Sequence, residues 1–150
     1  MTKETALPPV SLYEKDETAW LELTARLVAQ GRFGEIDQAA LAEYLTDMAK
    51  RDKREVASRL TVLIGHLLKW QQQPEHRSRS WRATIISQRQ ELGGLLESAT
   101  LREYAGEILA KCYGNAVEHA AAETEVPLEK FPAECPYSLD WLLSKELPSE

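Results

Sequence analysis

The chain lacks most of the features that would announce a chemistry. It has only two cysteines, Cys112 and Cys135, in 150 residues. That is too few for a disulfide framework and points to a reduced, cytoplasmic protein. No apolar run approaches the roughly 20 residues a membrane helix needs. The longest, Leu60 to Leu68, is interrupted by Thr61, Gly65 and His66, so no membrane association is expected. The opening MTKETALPPVSLYEKD has no apolar core of the kind a secretion signal carries. Alternating apolar–polar runs are missing, as are Asn-Gly and Asp-Gly turns, which leaves no basis for strands.

Catalytic and metal signatures are equally scarce. His66, His76 and His119 are scattered, with no partner histidine one helical turn away, and there is no C-x-x-C. A carboxylate di-metal bundle would need Glu-x-x-His on its helices, and the nearest approach, Glu118-His119, puts the two on different faces. Phosphate-binding glycine loops, dinucleotide fingerprints and a G-x-S-x-G elbow do not occur. No metal and no cofactor is therefore expected. Cys112 lies in an apolar helical run and belongs inside, whereas Cys135 sits among prolines and is the more accessible.

What is present is a soluble composition, 43% apolar and 28% charged, in a chain long enough to bury about 68–70% of its extended-chain surface. The net charge of −6 is unevenly spread. Residues 1–49 carry 4 Lys/Arg against 9 Asp/Glu, residues 50–89 carry 10 against 3, and residues 90–150 carry 4 against 12. A basic middle between acidic ends is either an anion-binding surface or charge neutralised inside the fold.

The periodicity is helical throughout. Pro8 and Pro9 mark residues 1–12 as an irregular arm, followed by a single helical domain over 13–150. Trp20, Leu23, Leu27 and Val28 form a first stripe, ended by Gly31 and Gly34. Asp37 is placed to cap a second helix with Leu41, Tyr44, Leu45 and Met48 on one face. The segment KRDKRE, Lys50 to Glu55, reads as a kink or break, with Asp52 and Glu55 at capping-box spacing. A third helix then carries Val56, Leu60, Leu63, Ile64, Leu67 and Trp70, with Gly65 marking close packing against a neighbour, and Pro74 ends it. Ser80 is placed to cap a fourth helix with Trp81, Ile85, Leu92 and Leu96. Thr100 and Glu103 box the start of a fifth, whose buried face is Leu101, Tyr104, Ile108, Leu109, Cys112 and Val117 and which Pro127 stops. Ser138 caps a last short helix with Leu139, Leu142 and Leu143. The fold class is all-α: a compact bundle of about five main helices plus a short C-terminal one.

Candidate functional residues cluster between Arg59 and Gln90. His66 lies mid-helix among apolar residues and needs a partner, with Glu43, Gln88 and Tyr113 available. It is either a general acid or base or a core histidine that fixes register. Arg82 and Arg89, seven residues apart, share a helix face. Arg77 and Arg79 extend that positive region, and Lys69 faces it. Such forked guanidiniums suit phosphate or carboxylate, or pair with Glu43, Asp47, Glu103 and Glu107 inside the bundle. Trp70 and Trp81 bracket the hinge QQQPEHRSRS, as base-stacking plates or as core plugs with a wet edge.

The blocks LAEYL (41–45), RLTVLIGHLLKWQ (59–71), SWRATIISQRQEL (80–92) and FPAECPYSLDWLL (131–143) resemble the bacterial family known as domain of unknown function twenty-nine, abundant in cyanobacteria, over about residues 12–145. The resemblance implies a compact helical fold in a cytoplasmic bacterial protein, and no reaction, ligand or partner. Family members often carry two acids after the Leu-Ala of the second helix. Here Glu43 is followed by Tyr44, so any role for a carboxylate at position 44 is absent or moved.

Three functions remain open. One is a non-enzymatic interaction or regulatory module acting on a protein partner or as a homo-oligomer. Another is an enzyme or small anionic-ligand binder built on Glu43, His66, Arg82, Arg89 and Tyr113, with Lys69, Trp70, Trp81 and Gln88 as further binding candidates. The third is nucleic-acid binding through the basic segment 50–89, which the pI of about 5.2 disfavours.

Overall fold

The computed structural model describes residues 11–149. Among the described residues six α-helices follow one another: α1 (Leu12–Lys15), α2 (Glu17–Ala29), α3 (Gln38–Gln72), α4 (Arg79–Leu95), α5 (Ala99–Thr124) and α6 (Leu139–Leu142). Single 3₁₀ turns precede α3, precede α4 and follow α5. No strand occurs among the described residues, and the architecture is all-α. The chain divides into two compact units between Met48 and Ala49, inside α3.

In the first unit, Ser11 and Asp16 cap α1 and α2 by accepting from Glu14 N and Ala19 N. Of the arm expected over 1–12, residues 1–10 lie outside the described residues, and Leu12 already opens α1. Trp20, Thr24 and Leu27 are the buried residues of α2. Leu23 and Val28, expected beside them, are exposed, because the buried face is narrower than the apolar stripe. Trp20 is held between Tyr13 and Tyr44, with ring centroids 4.7 and 5.7 Å away. Gly31, at φ +69°, terminates α2: its N–H donates to Val28 O and that of Arg32 to Leu27 O. These are the two bonds of a Schellman close, which needs a left-handed residue. Asp37 accepts from Ala40 N and caps α3, as its position suggested. Leu45, expected on the buried face, is 59% exposed.

The break expected at Lys50 to Glu55 is absent, and α3 runs 35 residues without interruption. The segment holds no glycine or proline, and its Lys, Arg and Glu are good helix formers. Capping-box spacing therefore had no helix end to cap, and the expected second and third helices are one.

The second unit holds the larger core. Val56, Leu60, Leu63, Ile64, Leu67 and Leu68 of α3 are fully buried, against Ile85, Leu92 and Leu96 of the α4 region and Phe131, Tyr137 and Leu142 of the tail. Burying each large side chain contributes about 1.5–3 kcal/mol. The buried face of α5 is Ala105, Cys112, Tyr113, Ala116 and Ala120. It is rotated from the expected stripe, since Leu101, Tyr104, Ile108, Leu109 and Val117 are only partly buried at its flanks. Gly65 does not mark a forced approach. A Cβ there would meet Ala116 O at 4.0 Å, an ordinary contact.

Helices α4 and α5 are capped two residues earlier than expected. Ser78 accepts from Trp81 N and Ser98 from Leu101 N, leaving Ser80 and Thr100 inside the first turns. Each run offers two competent caps two residues apart, and the outer one is used. The end of α5 comes three residues before Pro127, at Thr124, with Glu125 in the left-handed region at φ +60°. Ser138 caps α6 as expected.

Side-chain bonds hold the tail to the helices. The Tyr113 hydroxyl donates to Pro132 O, Tyr137 Oη to Gln71 Oε1 (3.3 Å) and Gln72 Nε2 to Lys130 O (3.4 Å). This clasp positions Trp141, Leu142 and the residues after them against α4.

Candidate functional site

Ile85, Arg89, Leu92 and Leu96 follow one another at three- and four-residue steps, so the apolar stripe of α4 has a guanidinium in the middle of it. Arg89 is 8% exposed. Its Nε donates to Leu142 O at 2.7 Å, the carbonyl at the end of α6. Its guanidinium carbon lies 5.4 Å from the centre of the Trp141 ring, which in turn stacks on Tyr137 at 4.7 Å. Nη2 is buried and has no hydrogen-bond partner. Burial pushes the guanidinium pKa down from its ordinary value, opposed by the charge of Glu146, and arginine nonetheless stays protonated.

Arg89 lines a cleft of about 430 Å³ together with Arg82, Ile85, Ile86, Leu143, Lys145 and others from the end of the chain. Ile85, Ile86, Leu143 and Leu147 make it largely apolar. Arg82 and Lys145 are exposed at its edge, and the Arg82 side chain makes no ion pair or hydrogen bond among the described residues. Arg82 and Arg89 thus share a face, as their spacing required. Neither is paired with the acidic side chains expected for them; the Arg89 bond goes to a backbone carbonyl instead. The tail's contribution, Trp141, Leu143, Ser144, Lys145 and Leu147, was not foreseen. Its only sequence signal is a tryptophan and a lysine in the terminal segment LDWLLSKEL.

A second cleft, of about 260 Å³, lies between α3 and α5 and is lined by Ser58, Thr61, Gly65, His66, Lys69, His119 and Glu123 among others. Lys69 is as buried as Arg89, but its Nζ meets Glu123 Oε2 at 2.7 Å and sits 5.1 Å from the centre of the Trp81 ring. The bond to Lys69 holds the Glu123 carboxyl below its usual range. His66 Nδ1 donates to Val62 O, one turn back on its own helix, at 2.9 Å. That partner replaces the three expected for it. Burial lowers the pKa of His66, and the bond to Val62 opposes the shift.

The remaining candidates are dispersed. Gln88 Oε1 accepts from Arg59 Nη1 at 3.2 Å, and the Tyr113 hydroxyl is spent on Pro132 O. Trp70 is half-buried, with the Arg77 guanidinium 5.1 Å from its ring centre and Arg77 Nε donating to Trp70 O. Glu43 is exposed in the first unit. His66 and Arg89 line separate clefts, so the convergent pocket of His66, Arg89 and Tyr113 is not formed. Part of the basic middle segment is occupied within the second unit: Arg59 by Glu55 and Glu91, Lys69 by Glu123, and Lys53 by the Tyr104 ring.

Cys112 is buried with its thiol on Ala57 O, and Cys135 is half-buried with its thiol on Tyr137 O. Burial raises the pKa of both, which disfavours thiolate. Among the described residues no three His, Cys, Asp or Glu side chains are grouped to hold a metal ion, and no helix is long and apolar enough to cross a membrane.

Comparison with known proteins finds one family model, described as domain of unknown function DUF29, which matches residues 12–147. No curated protein and no solved structure matches.

Proposed function

The chain belongs to the DUF29 family, and for this member we propose a non-enzymatic interaction or regulatory module whose working surface is the Arg82–Arg89 cleft, where it captures an acidic group carried on an apolar portion of a protein partner. One observation carries the reading: Arg89 is a buried cation lining an apolar cleft, with a carbonyl and a ring for company, no carboxylate at ion-pair distance among the described residues (the charge of Glu146 acts on it from farther off), and Nη2 unpartnered. A buried charge without a counter-ion is costly, and a bound anion would remove that cost. The exposed charges of Arg82 and Lys145 attract an anion toward the site, while Ile85, Ile86, Leu143 and Leu147 supply apolar area of the kind binding clefts use.

A catalytic reading has less support. The hydroxyl of Tyr113 and Nδ1 of His66 are each committed to a backbone carbonyl, and neither faces the arginine cleft. Affinity isolation of tagged full-length chain from its native host tests the proposal. A stoichiometric partner should be recovered with the native sequence and lost with Arg82→Ala, an exposed change that leaves the core intact. A partner retained undiminished by Arg82→Ala, or a monomer recovered alone, overturns it.

A further inference from the structure

The anion that suits the arginine cleft is constrained by what Arg89 has left to offer. Its Nε is already donating to Leu142 O, so the side-on fork of Nε and Nη2 is closed to a ligand. Only the end of the guanidinium, Nη1 and Nη2, remains. Two N–H groups in a plane match the two oxygens of a carboxylate. A phosphate would bring a further anionic oxygen; the polar groups lining the cleft besides Arg89 are Arg82, Gln90 and Lys145, all exposed, and Ser144, whose hydroxyl donates to Trp141 O, while within one turn of Arg89 stand the aliphatic side chains of Ile85 and Ile86. An oxygen turned toward them would be buried without a donor, which is unfavourable.

The apolar walls constrain the rest of the ligand. Ile85 and Ile86 stand four and three residues before Arg89, hence on the same face and within one helical turn of it. A ligand that fits must therefore carry an aliphatic group immediately beside its carboxylate. A polypeptide has that combination at its carboxyl end, where the α-carboxylate and the last side chain share one Cα. An internal aspartate or glutamate places its carboxylate on a side chain, and would draw two flanking peptide groups toward a wall with few polar partners. The cleft of about 430 Å³ lies in the ordinary range for enclosing a small group, roughly 300–1,000 Å³.

We infer that the cleft of Arg82, Ile85, Ile86, Arg89, Leu143 and Lys145 receives the free carboxyl end of a partner polypeptide whose last residue is aliphatic. The inference rests on the reading of this cleft as the working surface of the module. Arg89 binds the carboxylate end-on at the base, Ile85, Ile86 and Leu143 enclose the terminal side chain, and Arg82 and Lys145 attract the chain end from the rim.

The test is calorimetric titration of the full chain with three probes: a short peptide ending in leucine with a free carboxylate, the same peptide amidated, and octyl phosphate. The free peptide should bind at least tenfold more tightly than either of the others. Arg82→Ala should weaken it at least threefold and leave the amidated peptide unchanged. Equal binding of the free and amidated peptides overturns the inference, because the carboxylate then contributes nothing. Tighter binding of octyl phosphate overturns it too, while leaving the anion-capturing cleft in place. If no probe binds but the isolated partner is still lost with Arg82→Ala, the carboxyl-end inference alone fails. If no probe binds and the partner survives Arg82→Ala, both readings fall.

Discussion

Lys69 and Arg89 are both 8% exposed, both on core-facing helices, and both set against a tryptophan ring, yet they are satisfied in opposite ways. Lys69 has a full counter-ion, Glu123, at 2.7 Å. Arg89 has a neutral carbonyl and an unpartnered Nη2. Burial alone therefore does not distinguish a structural charge from a functional one; the chemistry of the partner does. A cation that closes its own ion pair ties two helices together and asks for nothing more, as Lys69 does between α3 and α5. A cation held by a carbonyl keeps its net charge in a low-dielectric setting and retains the capacity to gain from an anion.

The contrast is tested by removing one group from each cleft. Glu123→Ala leaves Lys69 buried without its counter-ion and should destabilise the fold by about 2 kcal/mol. That is below the roughly 3–5 kcal/mol typical of breaking a fully buried pair, because the Glu123 side chain is 57% exposed and solvent already screens it. Arg89→Met deletes a charge that has no counter-ion at ion-pair distance and should cost no more than about 1 kcal/mol. The lost bond to Leu142 O is offset by relief of the buried, unpartnered Nη2. Urea unfolding of both variants against the parent measures the difference. Equal losses would mean that Arg89 is as structural as Lys69. A partner-binding loss in Glu123→Ala but not in Arg89→Met would reverse the assignment of the two clefts.

Parts of this contrast are visible in the sequence and parts are not. The position of Arg89 at step four from Ile85 and step three before Leu92 is legible from periodicity alone, as is its shared face with Arg82. The caps at Asp37 and Ser138 and the glycine close at Gly31 follow from local chemistry, and the all-α class follows from the absence of any two-residue period. The choice of Ser78 over Ser80, and of Ser98 over Thr100, was not legible, because both members of each pair can cap and tertiary packing decides between them. The uninterrupted α3 was obscured by a charge-rich segment that resembles a cap but contains no breaker. The α5 face is not legible from its large residues, because the helix buries the small ones, Ala105, Ala116 and Ala120. The Lys69–Glu123 pair, 54 residues apart in sequence, and the tail's half of the arginine cleft are long-range consequences that no local pattern encodes.

Gly65 sharpens the same comparison by a smaller amount. It is buried in the lining of the Lys69–Glu123 cleft, and an added methyl would meet Ala116 O at 4.0 Å. With no clash to relieve, Gly65→Ala should recover the helix propensity and backbone entropy that glycine forfeits, stabilising the protein by about 0.5–1 kcal/mol. A higher thermal midpoint with unchanged partner binding would fit a cleft that has only a structural part to play. A lower midpoint would show that α3 and α5 need the glycine after all, and lost partner binding would show that this cleft is in use.

The smallest effect is expected from pH, and it separates the clefts by which of them titrates. Burial favours neutral His66, so its folded pKa lies below the ordinary 6.5. Within the window between those two values the unfolded chain binds more protons than the folded one. The stabilisation from His66 is thus fully present above about pH 6.5 and is lost as pH falls through that window. Glu123, whose carboxyl is held below its ordinary value of 4.5 by Lys69, adds a second loss at lower pH, as acid protonates it. The groups facing His66 act in opposition: Lys69 disfavours its protonation and Glu123 favours it, which keeps the first step shallow. Arginine does not change its charge in this range. Mild acid to pH 5.5 should therefore lower the thermal midpoint slightly and leave affinity at the arginine cleft unchanged, and His66→Gln should flatten the first step while sparing the second. A midpoint independent of pH down to 5.5 in the parent would mean that the neutral imidazole on Val62 O contributes nothing to stability in that range.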